Sequence, residues 1–159
     1  MELVKTKLDG VYIVEPKVYG DNRGWFMETY SEKAFKDAGI DVTFVQDNHS
    51  YSAQKGVLRG LHFQLNPMSQ AKLLRVLRGT LLDVVVDIRK GSPTYGQWIS
   101  VELSADNKKE IFMPRGMAHG FVTLTDDVEV HYKVDNLYAP KLESGIIYND
   151  PDLKVDWGT

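Results

Sequence analysis

The stretch that most constrains this chain is residues 56–90, GVLRGLHFQLNPMSQAKLLRVLRGTLLDVVVDIRK. Apolar and polar residues alternate through it, which is the period of a strand rather than a helix. Breaks at Asn66-Pro67 and Arg78-Gly79 cut it into separate strands. Each strand then has one apolar face and one polar face. The polar set includes Arg59, His62, Gln64, Lys72 and Arg75, for which a plain β core has little use. The reading is that these faces line a pocket.

The rest of the chain extends the same theme. Residues 3–19 read as two short strands with a turn at Asp9-Gly10. Asp21-Asn22-Arg23-Gly24 is a turn, and residues 25–30, WFMETY, alternate as a strand. Residues 31–40 are the one convincing helix, with Ser31 as N-cap and Gly39 as the stop. Residues 42–52 read as another strand. WISVELS, KEIFMPRG, HGFVTLTD and VEVHYKVDN follow, punctuated by turns at intervals of roughly ten residues. The tail, YAPKLESGIIYNDPDLKVDWGT, shows little periodicity and reads as packed loops. This count predicts an all-β jelly roll, an antiparallel double-sheet barrel with one short helix, in a single domain over residues 1–159.

Composition narrows the function classes. A net charge of −3 argues against a nucleic-acid partner. With no cysteine there is neither a disulfide nor thiolate chemistry. The start, MELVKTKLDG, lacks the apolar run of a signal peptide, and no window approaches the ~18 apolar residues of a spanning helix. A cytoplasmic location without membrane contact is expected.

Strand parity organises the candidate site. In VLRGLHFQ, His62 and Gln64 share one face, and Arg59 falls on the other. Gly60 lies between Arg59 and His62 and suits a bulge, which turns both toward one cavity. Lys72 shares a face with Leu74 and Val76, and Asp83 with Val85 and Asp87. Parity therefore allows His62, Lys72 and Asp83 to converge without requiring it. Taken singly, each has a structural reading: a hydrogen-bonded histidine, a surface arginine, a tyrosine in the core. Two histidines, a lysine and a tyrosine on neighbouring strands of one small barrel favour a site. His119 opens a strand after the Pro114–Gly116 turn, and Tyr132 alternates with Val130 and Val134. A metal is not expected, because His62-Phe63-Gln64 lacks the second ligand of an His-x-His pair and the other histidines are scattered.

With these segments read, the chain resembles the dTDP-4-dehydrorhamnose 3,5-epimerase family of cupin-type sugar-nucleotide epimerases. The resemblance is carried by DNRGWFMETY, FVQDNHSYS, GVLRGLHFQ, AKLLRVLRGTLLDVVVDIRKGSPTYGQW, MPRGMAHGF, YKVDNLYAP and NDPDLKVDW, in order over nearly the whole chain. It implies roles by position. His62 would be the general base and Tyr132 the acid on the opposite face of the sugar. Lys72 would stabilise the enolate oxygen, and His119 would contact substrate. Arg23, Phe26 and Glu28 would hold the nucleotide, with Gln46 and Asn48 beside them. Arg59 would hold the diphosphate, Tyr138 would stack on the thymine, and Glu143 would complete the binding shell. The family uses no cofactor or metal. It forms homodimers that exchange N-terminal strands, so Arg23 and Glu28 would serve the neighbouring subunit.

The residue types suit that chemistry. A 4-keto group acidifies the hydrogens on C3 and C5, and a fixed cation offsets the enolate left behind. Inversion needs a base on one face and an acid on the other. Arginine supplies a fork of donors for a diphosphate. Two departures stand out. In the family, the aspartate that pairs with the base lies beyond the DW segment, and this sequence stops at Thr159. Asp83 is therefore expected to orient His62. Trp25 stands where the family commonly has phenylalanine. Three alternatives remain at this level: an epimerase acting at C3 or C5 only, a catalytically silent sugar-nucleotide-binding barrel, and a metal-dependent cupin enzyme.

Overall fold

A computed structural model describes residues 1–158. Thirteen strands are described: β1 (Glu2–Lys5), β2 (Tyr12–Glu15), β3 (Val18–Asp21), β4 (Gly24–Met27), β5 (Gln46–Ser52), β6 (Leu58–Gln64), β7 (Lys72–Arg78), β8 (Thr80–Asp87), β9 (Trp98–Ser104), β10 (Glu110–Met113), β11 (Met117–Thr123), β12 (Val128–Val134) and β13 (Glu143–Gly145). One helix, α1 (Glu32–Asp37), lies between β4 and β5. The strands form two large antiparallel sheets, ordered β1-β2-β10-β7-β12-β5 and β13-β6-β11-β8-β9. The double-sheet architecture expected from the strand count is present.

Alternation along the strands divides the apolar residues among three cores. Leu74, Val76, Ile111, Met113 and Val130 of the first sheet meet Leu81, Val85, Leu103 and Phe121 of the second inside the barrel. The outer face of the first sheet carries Val14, Leu73 and Phe112, and α1 covers it with Phe35. Phe35 meets Phe112 and Tyr30 edge-on, at 5.6 and 5.0 Å between ring centroids. The outer face of the second sheet carries Leu61, Val84, Val86, Ala118 and Val122, and the C-terminal segment covers it with Trp157.

Several boundaries differ from the sequence reading, each for a local reason. The helix is shorter, 32–37, although Ser31 caps it as expected by accepting from the Ala34 amide at 3.2 Å. Residues 42–45 are not a strand. Their alternation reflects Val42 and Phe44 packing onto Phe35, not pairing in a sheet. Residues 3–19 hold the two expected strands and the start of a third, because β3 pairs with β4 as a separate hairpin. The tail is more than loops. Pro140–Leu142 is a turn of 3-10 helix, and β13 pairs with β6.

Candidate active site

The β6–β11 ladder aims the polar residues. His119 pairs with His62 and Phe121 pairs with Arg59, so two residues of β6, Gly60 and Leu61, lie against one of β11, Gly120. The extra residue is the bulge expected at Gly60, and it places Arg59 and His62 on the same side of the sheet. Glycine is required there. Its φ is +122°, and a Cβ would lie 2.6 Å from both the Gly120 Cα and the His119 carbonyl oxygen. On the facing sheet, Tyr132 pairs with Leu74, and Val134 pairs with Lys72. Tyr132 and Lys72 are thus diagonal neighbours on the inner face, with the Lys72 Nζ 5.8 Å from the Tyr132 ring centroid.

Between the sheets lies a cavity of about 530 Å³ whose lining includes His62, Lys72, Tyr132, Gln46, Asn48, Tyr138 and Glu143. Seven residues singled out in the sequence therefore meet in one place. A larger cleft, about 720 Å³, runs beside α1. Its charged lining is limited to Asp41 and the Arg115–Asp135 ion pair, so it offers no acid–base pair across a ring.

Burial and charge set the protonation states. His62 is half-buried, and burial together with the charges of Lys72 and Arg59 pushes its pKa down to about 3. It is held as the neutral imidazole, the form that accepts a proton. Lys72 is buried, and desolvation lowers its ammonium to about 8, against the pull of Asp83 and Glu143. Tyr138 is exposed and donates its hydroxyl to Glu143 Oε2 at 2.9 Å. Arg59 donates to the Ser52 hydroxyl and the Tyr51 carbonyl, both at 3.2 Å.

Asp83 is the correction. It does not orient His62; its Oδ1 accepts from His119 Nε2 at 2.6 Å. The strand order explains why. β11 lies between β8 and β6, so the nearer imidazole takes the carboxylate. His119 is buried behind the cavity, with its ring edge-on to His62 at 6.1 Å. It is not among the residues that line the cavity.

Arg23, Phe26 and Glu28 are not brought to the cavity. Arg23 and Phe26 sit on the β3–β4 hairpin, and Glu28 follows it. Arg23 is exposed and pairs with Asp21 at 2.6 Å, and Phe26 is 64% exposed. Gln64 and Gln70 also line the cavity, and the sequence assigns Gln64 no role beyond its strand face. Gln64 donates to the Met68 and Leu137 carbonyls and accepts from the Ala139 amide, which pins the loop carrying Tyr138. The sequence signal was present in its inward parity next to His62. Among the described residues, no group of three or more His, Asp or Glu side chains is arranged to hold a metal ion.

Comparison with known proteins agrees with this geometry. A family model described as dTDP-4-dehydrorhamnose 3,5-epimerase matches residues 5–159. A relative of that name from Methanothermobacter thermautotrophicus is 54% identical over 154 residues, covering 97% of this chain and 82% of its own. A dTDP-6-deoxy-D-glucose-3,5-epimerase from Legionella pneumophila, solved with dTDP-4-keto-L-rhamnose, superposes with a TM-score of 0.93. It is 48% identical, over 98% of this chain and 82% of that one. A 3'-monoepimerase from Streptomyces bikiniensis, solved with dTDP-quinovose, gives a TM-score of 0.89 at 37% identity, over 96% of this chain and 77% of that one. By these matches, and by a cavity that faces a neutral histidine with a tyrosine and a buried lysine, the chain belongs to the dTDP-4-dehydrorhamnose 3,5-epimerase family of carbohydrate epimerases.

Proposed function

We propose that this cavity inverts C3 and C5 of dTDP-4-dehydro-6-deoxy-D-glucose, giving dTDP-4-dehydro-L-rhamnose for rhamnose biosynthesis. One observation carries the reading. His62 and Tyr132 stand on opposed sheets across a cavity whose wall holds the Lys72 ammonium. A sugar ring between the sheets has a base on one face and a hydroxyl donor on the other. His62 takes the proton from the carbon next to the ketone. The electron pair moves onto the carbonyl oxygen, and Lys72 stabilises that enolate. Tyr132 returns a proton to the other face. Arg59 holds the diphosphate, Gln46 and Asn48 hold the nucleotide, and exposed Tyr138 offers its ring to the thymine, with Glu143 fixing its hydroxyl. His119 supports the pocket from behind His62.

The same reading covers assembly and setting. The β3–β4 hairpin pairs with neither large sheet, and it exposes Tyr19, Trp25 and Phe26. β5, which carries Gln46 and Asn48, is an edge strand. A second copy's hairpin laid along that edge brings Arg23, Phe26 and Glu28 to the neighbouring cavity. Sedimentation should therefore show a dimer for the wild type and a monomer for Phe26→Asp. A fully active wild-type monomer rules the exchange out. The two sheets share one inner core from Leu8 to Val130, which supports one epimerase domain over residues 1–159. A cytoplasmic enzyme suits a nucleotide-sugar substrate; no described helix is long and apolar enough to cross a membrane. Cell fractionation tests that location, and recovery with the membrane pellet contradicts it.

Proton exchange in heavy water is the test of the reaction. Deuterium should enter at C3 and C5, and His62→Ala should abolish both while leaving dTDP binding in place. The likeness to a 3'-monoepimerase favours a second reading, inversion at one carbon. Label confined to one carbon selects it. Nucleotide binding with no exchange at either carbon means a binding barrel instead.

A further inference from the structure

Asp83 is a buried charge that the reaction does not use directly. It lies on β8 with 0% exposure, inside the barrel. Its Oδ1 is bound to His119 Nε2 at 2.6 Å, and its Oδ2 has no hydrogen-bond partner. Lys72 projects into the same interior from the facing sheet and is itself only 7% exposed. An unpaired carboxylate and an unpaired ammonium are each costly inside a protein, and each is relieved by the other.

With His119 neutral, two proton arrangements satisfy the geometry with the same net charge. In one, Asp83 is a carboxylate, His119 carries its proton on Nε2, and Lys72 is an ammonium. In the other, Asp83 is protonated and donates to an unprotonated Nε2, His119 carries its proton on Nδ1, and Lys72 is a neutral amine. The second keeps the Asp83–His119 hydrogen bond but leaves Lys72 a neutral amine with no charge facing it. The first sets opposite charges facing each other where the dielectric is low. It alone leaves a cation at the place where an enolate would form.

We propose that Asp83 is a positioning residue for the epimerisation: its carboxylate fixes His119 as the Nε2-protonated tautomer and holds Lys72 in the ammonium form. The proposal rests on the epimerase reading for its consequence, but not for its geometry. The titratable or charged groups on the elements around Asp83 are His62 and Arg59 from β6, Lys72 from β7, His119 from β11, Tyr132 from β12 and Glu143 from β13. From β9, Asp83 meets only Val101 in register. Asp83 is the leading influence that raises the Lys72 ammonium, ahead of Glu143, which is exposed. Removing its charge removes the larger of the two influences that raise the Lys72 ammonium.

Asp83→Asn keeps the size and the acceptor oxygen but not the charge. It should lower kcat at least about tenfold, leave KM within about threefold, and move the basic limb of the kcat profile down by about one pH unit or more. A packing role alone would lower stability without moving that limb. Unchanged kcat with an unmoved limb overturns the proposal. Nitrogen NMR of the histidines of the wild-type protein decides the matter even if Asp83→Asn does not fold. His119 should carry its proton on Nε2 from pH 6 to 8; a proton on Nδ1 overturns the proposal. That readout needs no substrate, so a protein inactive in the heavy-water assay would sink the epimerase reading while the tautomer is still measured.

Discussion

The neutral state of His62 gives the most direct quantitative test of the site. Its pKa falls from 6.5 to about 3 because the ring is half-buried and faces the positive charges of Lys72 and Arg59. At about 1.4 kcal/mol per pH unit, the bias against the imidazolium reaches about 5 kcal/mol, an upper bound because solvent still reaches part of the ring. A general base works in its unprotonated form, so activity is retained above the folded-state pKa and lost as pH falls through it. The kcat/KM profile, which reports the free enzyme, should therefore show no acid limb near pH 6.5 and should hold to within about twofold down to about pH 5. Stability follows the same sign. The unfolded chain takes up a proton at pH 6.5 and the folded chain does not, so this contribution is complete above 6.5 and declines as pH drops below it. Lys72→Met removes the strongest depressant after burial, and should move the His62 midpoint upward. Proton NMR of the His62 ring follows this midpoint directly. A wild-type His62 titrating near 6.5, together with an acid limb at the same pH, refutes the electrostatic account.

Two further outcomes follow from other buried features. Glu110 is buried with Oε2 unpartnered, and desolvation raises its pKa to about 8, only partly offset by Arg75. The folded chain keeps this proton up to about pH 8 while the unfolded chain releases it near 4.5, so stability falls as pH rises between those values. Glu110→Gln should remove that slope, and the difference between variant and wild type in urea melts should grow by about 3 kcal/mol from pH 5 to 8. A constant difference would show that Glu110 is ionised throughout. Gly60→Ala places a methyl against the backbone of His119 and Gly120, which cannot yield without separating β6 from β11. It should cost about 2–3 kcal/mol and remove activity by displacing Arg59 and His62, measured by denaturation and by heavy-water exchange. Wild-type stability with full activity would mean the bulge does not set the site.

What could be read in advance was decided at short range. Period-two alternation marks a strand because neighbouring side chains point to opposite faces, and that alone assigned His62, Gln64, Lys72, Tyr132 and Asp83 to strand faces. The Gly60 bulge was legible for a similar reason, since a glycine between two polar residues of opposite parity is where a strand can slip by one. The helix cap at Ser31 was equally local. Where local pattern was ambiguous, tertiary contact decided. Residues 42–45 alternate as a strand would, yet they serve as a lid on Phe35.

The misassignment of Asp83 shows where this kind of reading stops. Parity reports the face on which a side chain lies, not which strand lies beside it. β6 and β8 are adjacent in the polar pattern of the sequence, with β7 between them, so a carboxylate on β8 looks available to a histidine on β6. In the fold, β7 leaves for the other sheet, and β11, about thirty residues further on, takes its place between the two. His119 therefore meets Asp83 first. Glu143 makes the converse point. It stands on a three-residue strand, too short to show a period, and enters the cavity because the edge of β6 still has hydrogen bonds to satisfy. The chemistry of this site is thus written in residue types that the sequence displays, while the pairings that set their charge states depend on which distant strand fills each gap in the sheet.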